Sequence, residues 1–364
     1  MGKKYEILDM LTEQSEWPLL PVDLQKIETP GVLRKEAQAR GALAELKGFA
    51  AVIPNQSILI NAIALQEAQE SSAIENIVTT RDKLYQSLTF GNQAIDAATK
   101  EVINYREAIA KGAGLIAKRG LLSISDIVQI QEIIAGNNAG IRRLPGTALV
   151  NDSTEEVVYT PPQDYDEICR LLNNFCEYLN GDEDSLWKMA VLHYQFETIH
   201  PFYDGNGRTG RILNILYLLL KKHITTPILY LSSYIIKTKN QYYELLQEVR
   251  TGDIWENWIC YILTGIEETS KQALEKIKAI KISFDSTIEK MRVQIPKTYS
   301  KELAELIFEN PYSKIEFLVT KLQVNRKTAS KYLKEMDAAG ILSSRKVGRE
   351  TLYINDELMG ILKR

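Results

Sequence analysis

The stretch ETIHPFYDGNGRTGR, Glu197–Arg211, constrains the fold more than any other part of the chain. Just upstream, LWKMAVLHYQFETI places Trp187, Val191, Tyr194, Phe196 and Ile199 on one helical face. Pro201 has no N–H with which to continue that helix, and Asp-Gly-Asn-Gly supplies a tight polar turn. Downstream, RILNILYLLLKKH resumes helical spacing, with the new helix expected to start near Thr209. The joint between the two helices holds Gly205-x-Gly207-x-x-Gly210.

That glycine spacing is also the dinucleotide fingerprint, which needs a buried strand before it and an acid about 20 residues later. Here the preceding segment is helix-spaced and carries His193, Gln195, Glu197 and His200. The next strand candidate, PILYLS, ends in Ser232-Ser233 with no acid. A dehydrogenase is therefore disfavoured, and the chemistry must come from what surrounds the glycines. Successive backbone N–H groups at a helix start form an anion cradle, and Gly205 and Gly207 let an oxygen approach the backbone. Arg208 and Arg211, three residues apart, can both reach phosphate oxygens. Asp204 is a hard oxygen ligand suited to Mg²⁺ already held by a polyphosphate. His200 titrates near neutrality and can take a proton from an attacking hydroxyl. Each residue alone has a bland reading, as a helix-end histidine or a solvated arginine. Their concentration between His200 and Arg211 favours a nucleotide site.

Helical spacing dominates elsewhere too. VLRKEAQARGALAELKGFA (Val32–Ala50) and SILINAIALQEAQESSAIEN (Ser57–Asn76) are amphipathic, and ISDIVQIQEIIAG offers Ser125 as a cap and Gly136 as a stop. KNQYYELLQEVR and the long IEETSKQALEKIKAIKISFDSTIEKM add further helices. Strand signals are confined to TALV and VVYT around the polar turn Asn151–Glu156, closed by Pro161-Pro162. The expected body is all-α with one β-hairpin. Three cysteines with no CxxC pair point to free thiols in a reducing compartment. MGKKYEILDM lacks the apolar run of a signal peptide. The most apolar stretch, Ile212–Leu220, falls far short of the roughly 20 residues that span a bilayer. A cytoplasmic protein with no membrane partner is the expectation.

HPFYDGNGRTGR matches without a substitution the signature of the Fic family. GTALVNDSTEEVVYTPP resembles that family's flap, and KNQYYELLQEVRTGDIWENWICYIL its following helix pair. The resemblance implies a mainly α Fic-type helical bundle with one β-hairpin flap. It also implies transfer of AMP from ATP to a Ser, Thr or Tyr hydroxyl of a target protein, and of itself, with release of pyrophosphate. His200 would be the general base and Asp204 the ligand of Mg²⁺ or Mn²⁺. Gly205, Asn206 and Gly207 would hold the α- and β-phosphates, with Arg208 on the phosphate tail and Arg211 on the γ-phosphate. SSAIEN fits the family's inhibitory pattern: with Ser71 and Asn76 flanking it, Glu75 would pair with Arg211 and take the place of the γ-phosphate. Thr147, Ala148, Leu149 and Val150 would form the flap strand that docks the target. Asn240, Tyr242 and Tyr243 are candidates for the adenine pocket, although core packing explains the tyrosines as well. The same cradle would serve a Fic enzyme that moves another phosphate-linked group or removes AMP.

Residues 297–364 carry 13 Lys/Arg against 9 Asp/Glu, a net of +4, leaving −7 on the rest. Their pattern of three helices and a hairpin resembles a small α+β winged helix-turn-helix domain, with Asn325 capping the third helix and Gly340 ending it. Arg326, Lys327, Ser330 and Lys331 on that helix, with Arg345, Lys346 and Arg349 on the wing, are candidate DNA contacts. A DNA-binding regulator with a nucleotide-sensing Fic body is the rival reading, and a homo-oligomer is compatible with either. The expected domains are 1–115 with the inhibitory helix, 116–270 as the catalytic core, 271–296 as a linker helix, and 297–364.

Overall fold

The computed structural model describes residues 17–90, 96–150, 155–347 and 350–363. It is mainly helical, with two small antiparallel sheets. At its centre the helix Leu186–Ile199 has every residue buried, including Lys188, His193, Gln195 and Glu197. Helices Pro30–Ala50, Tyr165–Asn180, Asn206–Leu220 and Trp255–Gln294 surround it. A helix walled on all sides needs no polar face, which is why its apolar stripe gives only part of its packing.

Local chemistry places the other elements. Thr29 caps Pro30–Ala50 by accepting from Val32 N–H, with proline in the first turn. Ser123, not Ser125, caps Ile124–Ala135, because Asp126 reaches back to the Ser123 N–H and completes a capping box. Gly136 ends that helix at φ 65°. Trp255–Gln294 is one helix of 40 residues running unbroken across the expected boundary at 270/271. Gly265 sits within it, where a Cβ would come 2.7 Å from Leu231 Cδ1.

The segment expected as one helix over Ser57–Asn76 divides into Gln56–Leu59, a π-helical turn Ile60–Ala64, and Leu65–Ile74. It ends with Ile77 N–H donating to Ser72 O (3.0 Å) and Asn76 at φ 62°. This is a Schellman ending with asparagine where glycine is the usual choice.

The flap pairs Leu149–Val150 with Val157–Tyr159; its turn, residues 151–154, lies outside the described residues. In the C-terminal region the helices Lys301–Glu309, Ile315–Leu322 and Arg326–Ala338 precede the hairpin Ser343–Val347/Glu350–Ile354. Asn325 caps the third by accepting from Thr328 N–H. Strand Tyr312–Ser313 joins the hairpin's second strand, and a last helix, Asp356–Lys363, follows. Both are too short to announce themselves in the sequence. This region joins the body through an edge-to-face contact of Phe284 with Phe308 (5.1 Å between ring centres), Asn61 Nδ2 donating to Glu309 O (2.8 Å) and Tyr312 Oη donating to Asp82 Oδ1 (3.2 Å). Among the described residues no helix is long and apolar enough to cross a membrane.

Leu46, fully buried on Pro30–Ala50, lies in the continuous apolar core. Leu46→Ala should cost about 2–5 kcal/mol in a urea titration. A loss below about 1 kcal/mol would show that this helix does not share the central core.

Candidate active site

The central helix ends at His200, which takes up the left-handed conformation (φ 47°, ψ 58°) as its cap. Phe202 is fully buried and anchors the turn. Asn206 then closes it, accepting from Phe202 N–H (2.8 Å) and donating to Phe202 O (2.7 Å). The second helix begins at Asn206, three residues earlier than its apolar spacing suggests, behind Gly205 at φ 79°. Its ladder opens with Thr209 N–H to Gly205 O, so the N–H groups of Asn206, Gly207 and Arg208 lie in the uncapped first turn. Gly205 N–H is taken by Asp204 Oδ1 (2.7 Å). Asn206 can thus serve an anion through its backbone, its side chain being committed to the turn.

Both motif arginines are buried, and both are occupied. Arg208 donates through Nη1 to Glu101 Oε2 (2.7 Å) and through Nη2 to Asp204 (3.2 and 3.3 Å). Arg211 donates through Nε to Ser71 Oγ (2.7 Å) and through Nη2 to Ser71 O (3.0 Å) and Glu75 Oε1 (2.8 Å). Burial pushes the Glu75 carboxyl up, but the charges of Arg211, Arg208 and Lys239 outweigh it and hold the group below its ordinary range. Lys239 Nζ also donates to Ile74 O (2.7 Å), pinning the end of the helix that carries Glu75. A Cβ at Gly207 would come 2.5 Å from Glu75 Oε1. Only glycine leaves room there for a carboxylate against the cradle.

Burial, then the charge of Arg142, lowers the His200 imidazole to about 4, with the Glu197 backbone opposing. The ring is therefore neutral at physiological pH and available as a base. Beneath the turn, burial raises Glu197 to about 7; its Oε1 has no hydrogen bond and lies 2.5 Å from where a Gly210 Cβ would stand.

The remaining candidates divide. Tyr242 is buried, its hydroxyl 2.9 Å from His193 Nε2 within a cluster with Trp258 and Tyr261, a core position. Tyr243 is half-exposed beside it, and Asn240 is exposed at the start of the same helix. In the flap, Thr147 O accepts from Gln163 Nε2 (2.9 Å), Ala148 leads into the strand, and Val150 is exposed. In the C-terminal region Arg326, Lys327, Lys331, Arg345 and Lys346 are exposed and Ser330 partly so; Arg349 lies outside the described residues. Arg326 pairs with Glu316, and Lys331 with Glu335 at 3.7 Å. Arg142, Glu101, Glu197 and Lys239 escaped the sequence reading. Arg142 is one of two adjacent arginines in a loop, and Glu101 one of many helix-surface acids, so neither carries a local signal.

The site is a two-helix nest with a histidine beside it and a carboxylate from a third helix paired to its second arginine. Comparison with known proteins agrees. Residues 33–114 match the Fic/DOC family N-terminal model and residues 121–218 the Fic/DOC family model. The chain thus carries Fic/DOC family domains over these two stretches. Residues 284–358 match the C-terminal domain of SoFic-like protein adenylyltransferases. "Protein adenylyltransferase Fic" of Aedes aegypti is 27% identical over 199 residues, covering 52% of this chain and 38% of that protein. The fic-1 adenylyltransferase of Caenorhabditis elegans is 25% identical over 171 residues, 46% of this chain and 31% of that protein. The chain thus spans well under half the length of these curated relatives. Among solved structures, a Fic family protein of Desulfovibrio desulfuricans superposes with a TM-score of 0.59 at 17% identity, covering 93% of this chain and 98% of that one. The Caenorhabditis elegans Fic-1 structure gives 0.52 at 19%, covering 67% and 72%.

Because the folded Glu75 sits below its ordinary value of 4.5, its pairing stabilises the fold above that value and is lost as pH falls through the lowered one. The melting-temperature gap between wild type and Glu75→Gln should be constant above about pH 5 and shrink below about pH 4. A gap independent of pH would contradict the ion pair.

Proposed function

We propose that this chain is a self-inhibited protein adenylyltransferase. The observation that carries the reading is the occupation of Arg211 by Glu75 beside a complete phosphate cradle. The reaction moves AMP from ATP to a Ser, Thr or Tyr hydroxyl of a target protein or of the enzyme itself. The hydroxyl oxygen attacks the α-phosphorus in line; the bond to the β-phosphate oxygen breaks and pyrophosphate leaves. The hydroxyl proton passes to His200, which is neutral and ready to accept it. The first-turn N–H groups and Arg208 hold the α- and β-phosphates, and Arg211 takes the γ-phosphate once Glu75 withdraws.

Asp204 fits a divalent ion, Mg²⁺ or Mn²⁺. Its side chain is well exposed at the mouth of the nest, and no cluster of three protein ligands exists among the described residues. An ion there would depend on phosphate oxygens for most of its shell, as Mg²⁺ commonly does. When bound it would neutralise charge on the phosphate tail. The flap supplies an exposed strand for an extended target segment. Three unpaired cysteines support a reducing, cytoplasmic setting.

A second reading concerns the C-terminal region alone, whose winged-helix order puts Lys327, Lys331 and Lys334 on the open side of Arg326–Ala338. These lysines favour a duplex DNA contact. Joint Lys327→Ala and Lys331→Ala substitution should flatten the salt dependence of DNA binding by about two counterions. An unchanged slope removes the reading.

For the main proposal, wild type, Glu75→Gly and His200→Ala are incubated with α-labelled ATP and lysate. Glu75→Gly should raise labelling at least about tenfold, and His200→Ala, in the same background, should lower it at least about a hundredfold. Equal labelling of wild type and Glu75→Gly would contradict the brake.

A further inference from the structure

The end of a helix leaves its last carbonyls without partners, and at the end of the central helix those partners come from the flap side of the molecule. Thr198 O accepts from Tyr159 Oη (2.8 Å), and Tyr159 belongs to the second flap strand. His200 O accepts from Arg142 Nε (2.8 Å), and Ile199 O from Arg142 Nη2 (3.4 Å). Pro201 O accepts from the Arg142 backbone N–H (2.9 Å). The same Nη2 also donates to Pro162 O, just beyond the second flap strand. Next to Arg142, Ile141 bridges Phe202 of the motif. Arg142 is fully buried, and no carboxylate pairs with it among the described residues. A buried charge held by carbonyls alone is costly to keep. Its acceptors are well chosen, because the carboxyl end of a helix carries partial negative charge. His200 needs such support, since its left-handed backbone (φ 47°) is unfavourable for a residue other than glycine.

We propose that Arg142 is a positioning residue: one buried side chain fixes the His200 turn and the base of the flap in a single frame, so that the proton acceptor and the docked hydroxyl are registered against each other. The inference rests on the adenylyl-transfer reading for its consequence and on the geometry alone for its existence. Arg142 touches neither the phosphate cradle nor Arg211, so its loss should harm the presentation of the hydroxyl rather than ATP binding. It also faces His200 with positive charge, as Arg250 does, while Glu75 faces it with negative charge. Removing the guanidinium should therefore make the imidazole easier to protonate.

The full chain has three histidines, His193, His200 and His223, so an NMR titration of labelled imidazoles can follow each one, with His200→Ala assigning the signal. In Arg142→Gln the His200 titration should move up by about one pH unit. In the Glu75→Gly background, Arg142→Gln should cut transfer about tenfold or more at saturating ATP, with KM for ATP within about threefold. Arg142→Lys keeps the charge but cannot span the carbonyls, so the titration should stay low while transfer still falls. An unmoved titration with transfer within about twofold overturns the proposal, as does a parallel loss of ATP binding and transfer, which a merely structural arginine would give. If Arg142→Gln does not fold, Arg142→Lys decides: unimpaired transfer overturns the clamp. If Glu75→Gly itself transfers no label, the adenylyl-transfer reading fails separately. The titration still decides whether Arg142 is set against His200.

Discussion

A buried guanidinium must find partners for its N–H groups, and Arg211 finds three acceptors within one turn of a single helix. Ser71 supplies its hydroxyl and carbonyl, and Glu75 its carboxylate. This pairing settles how Leu65–Ile74 lies against the motif helix, and hence where the chain must turn at Asn76. It also uses the cation that a phosphate tail would seek. The contact satisfies a buried guanidinium from within the protein, and under the proposed function it is the one a nucleotide would compete for. Arg208 repeats the logic with Glu101 and Asp204. Both buried guanidinium groups thus have their charge offset by carboxylates of the same chain.

The contact is maintained by several neighbours. Lys239 holds the Ile74 carbonyl, and the absence of a side chain at Gly207 opens the space Glu75 fills. Deeper on the same helix, Glu67 is fully buried and burial raises it to about 7, with Ser232 and Tyr105 hydrogen-bonded to it. The π-helical turn at its start carries Asn61, which bonds the C-terminal region at Glu309 O and accepts from Arg106 Nη2 on the neighbouring helix (2.6 Å). The segment that carries Glu75 is thus tied at both ends and in its middle.

Much of this was legible in the sequence because the chemistry is local. Pro201, the two turn glycines and the helical spacing on either side specify helix, turn, helix without long-range information. The pairing of Glu75 was legible from the resemblance that six adjacent residues carry, and the positive φ at Asn76 is one that asparagine and glycine adopt most readily. Other features depend on distant contacts. The clamp of Arg142 joins residues 58 apart in the chain, and the pairing of Glu101 with Arg208 spans 107; neither spacing has a period. The motif helix starts earlier than its apolar spacing suggests, because Asn206 and Gly207 lack the side chains that mark a helix even though Gly205 can cap it. Tyr242 shows the opposite limit: an aromatic beside a nucleotide site can equally be core, and its bond to His193 puts it there.

The proposed function turns on competition between Glu75 and the γ-phosphate for Arg211. The most direct measurement is a pair of crystal structures with ATP and Mg²⁺, one of the wild type and one of Glu75→Gly. The variant should place the γ-phosphate within hydrogen-bonding distance of Arg211 and the α-phosphorus open to in-line attack beside His200. The wild type should keep Glu75 on Arg211 and hold the triphosphate elsewhere. Identical triphosphate placement in the two structures, with Glu75 still paired to Arg211 in the wild type, would contradict the account.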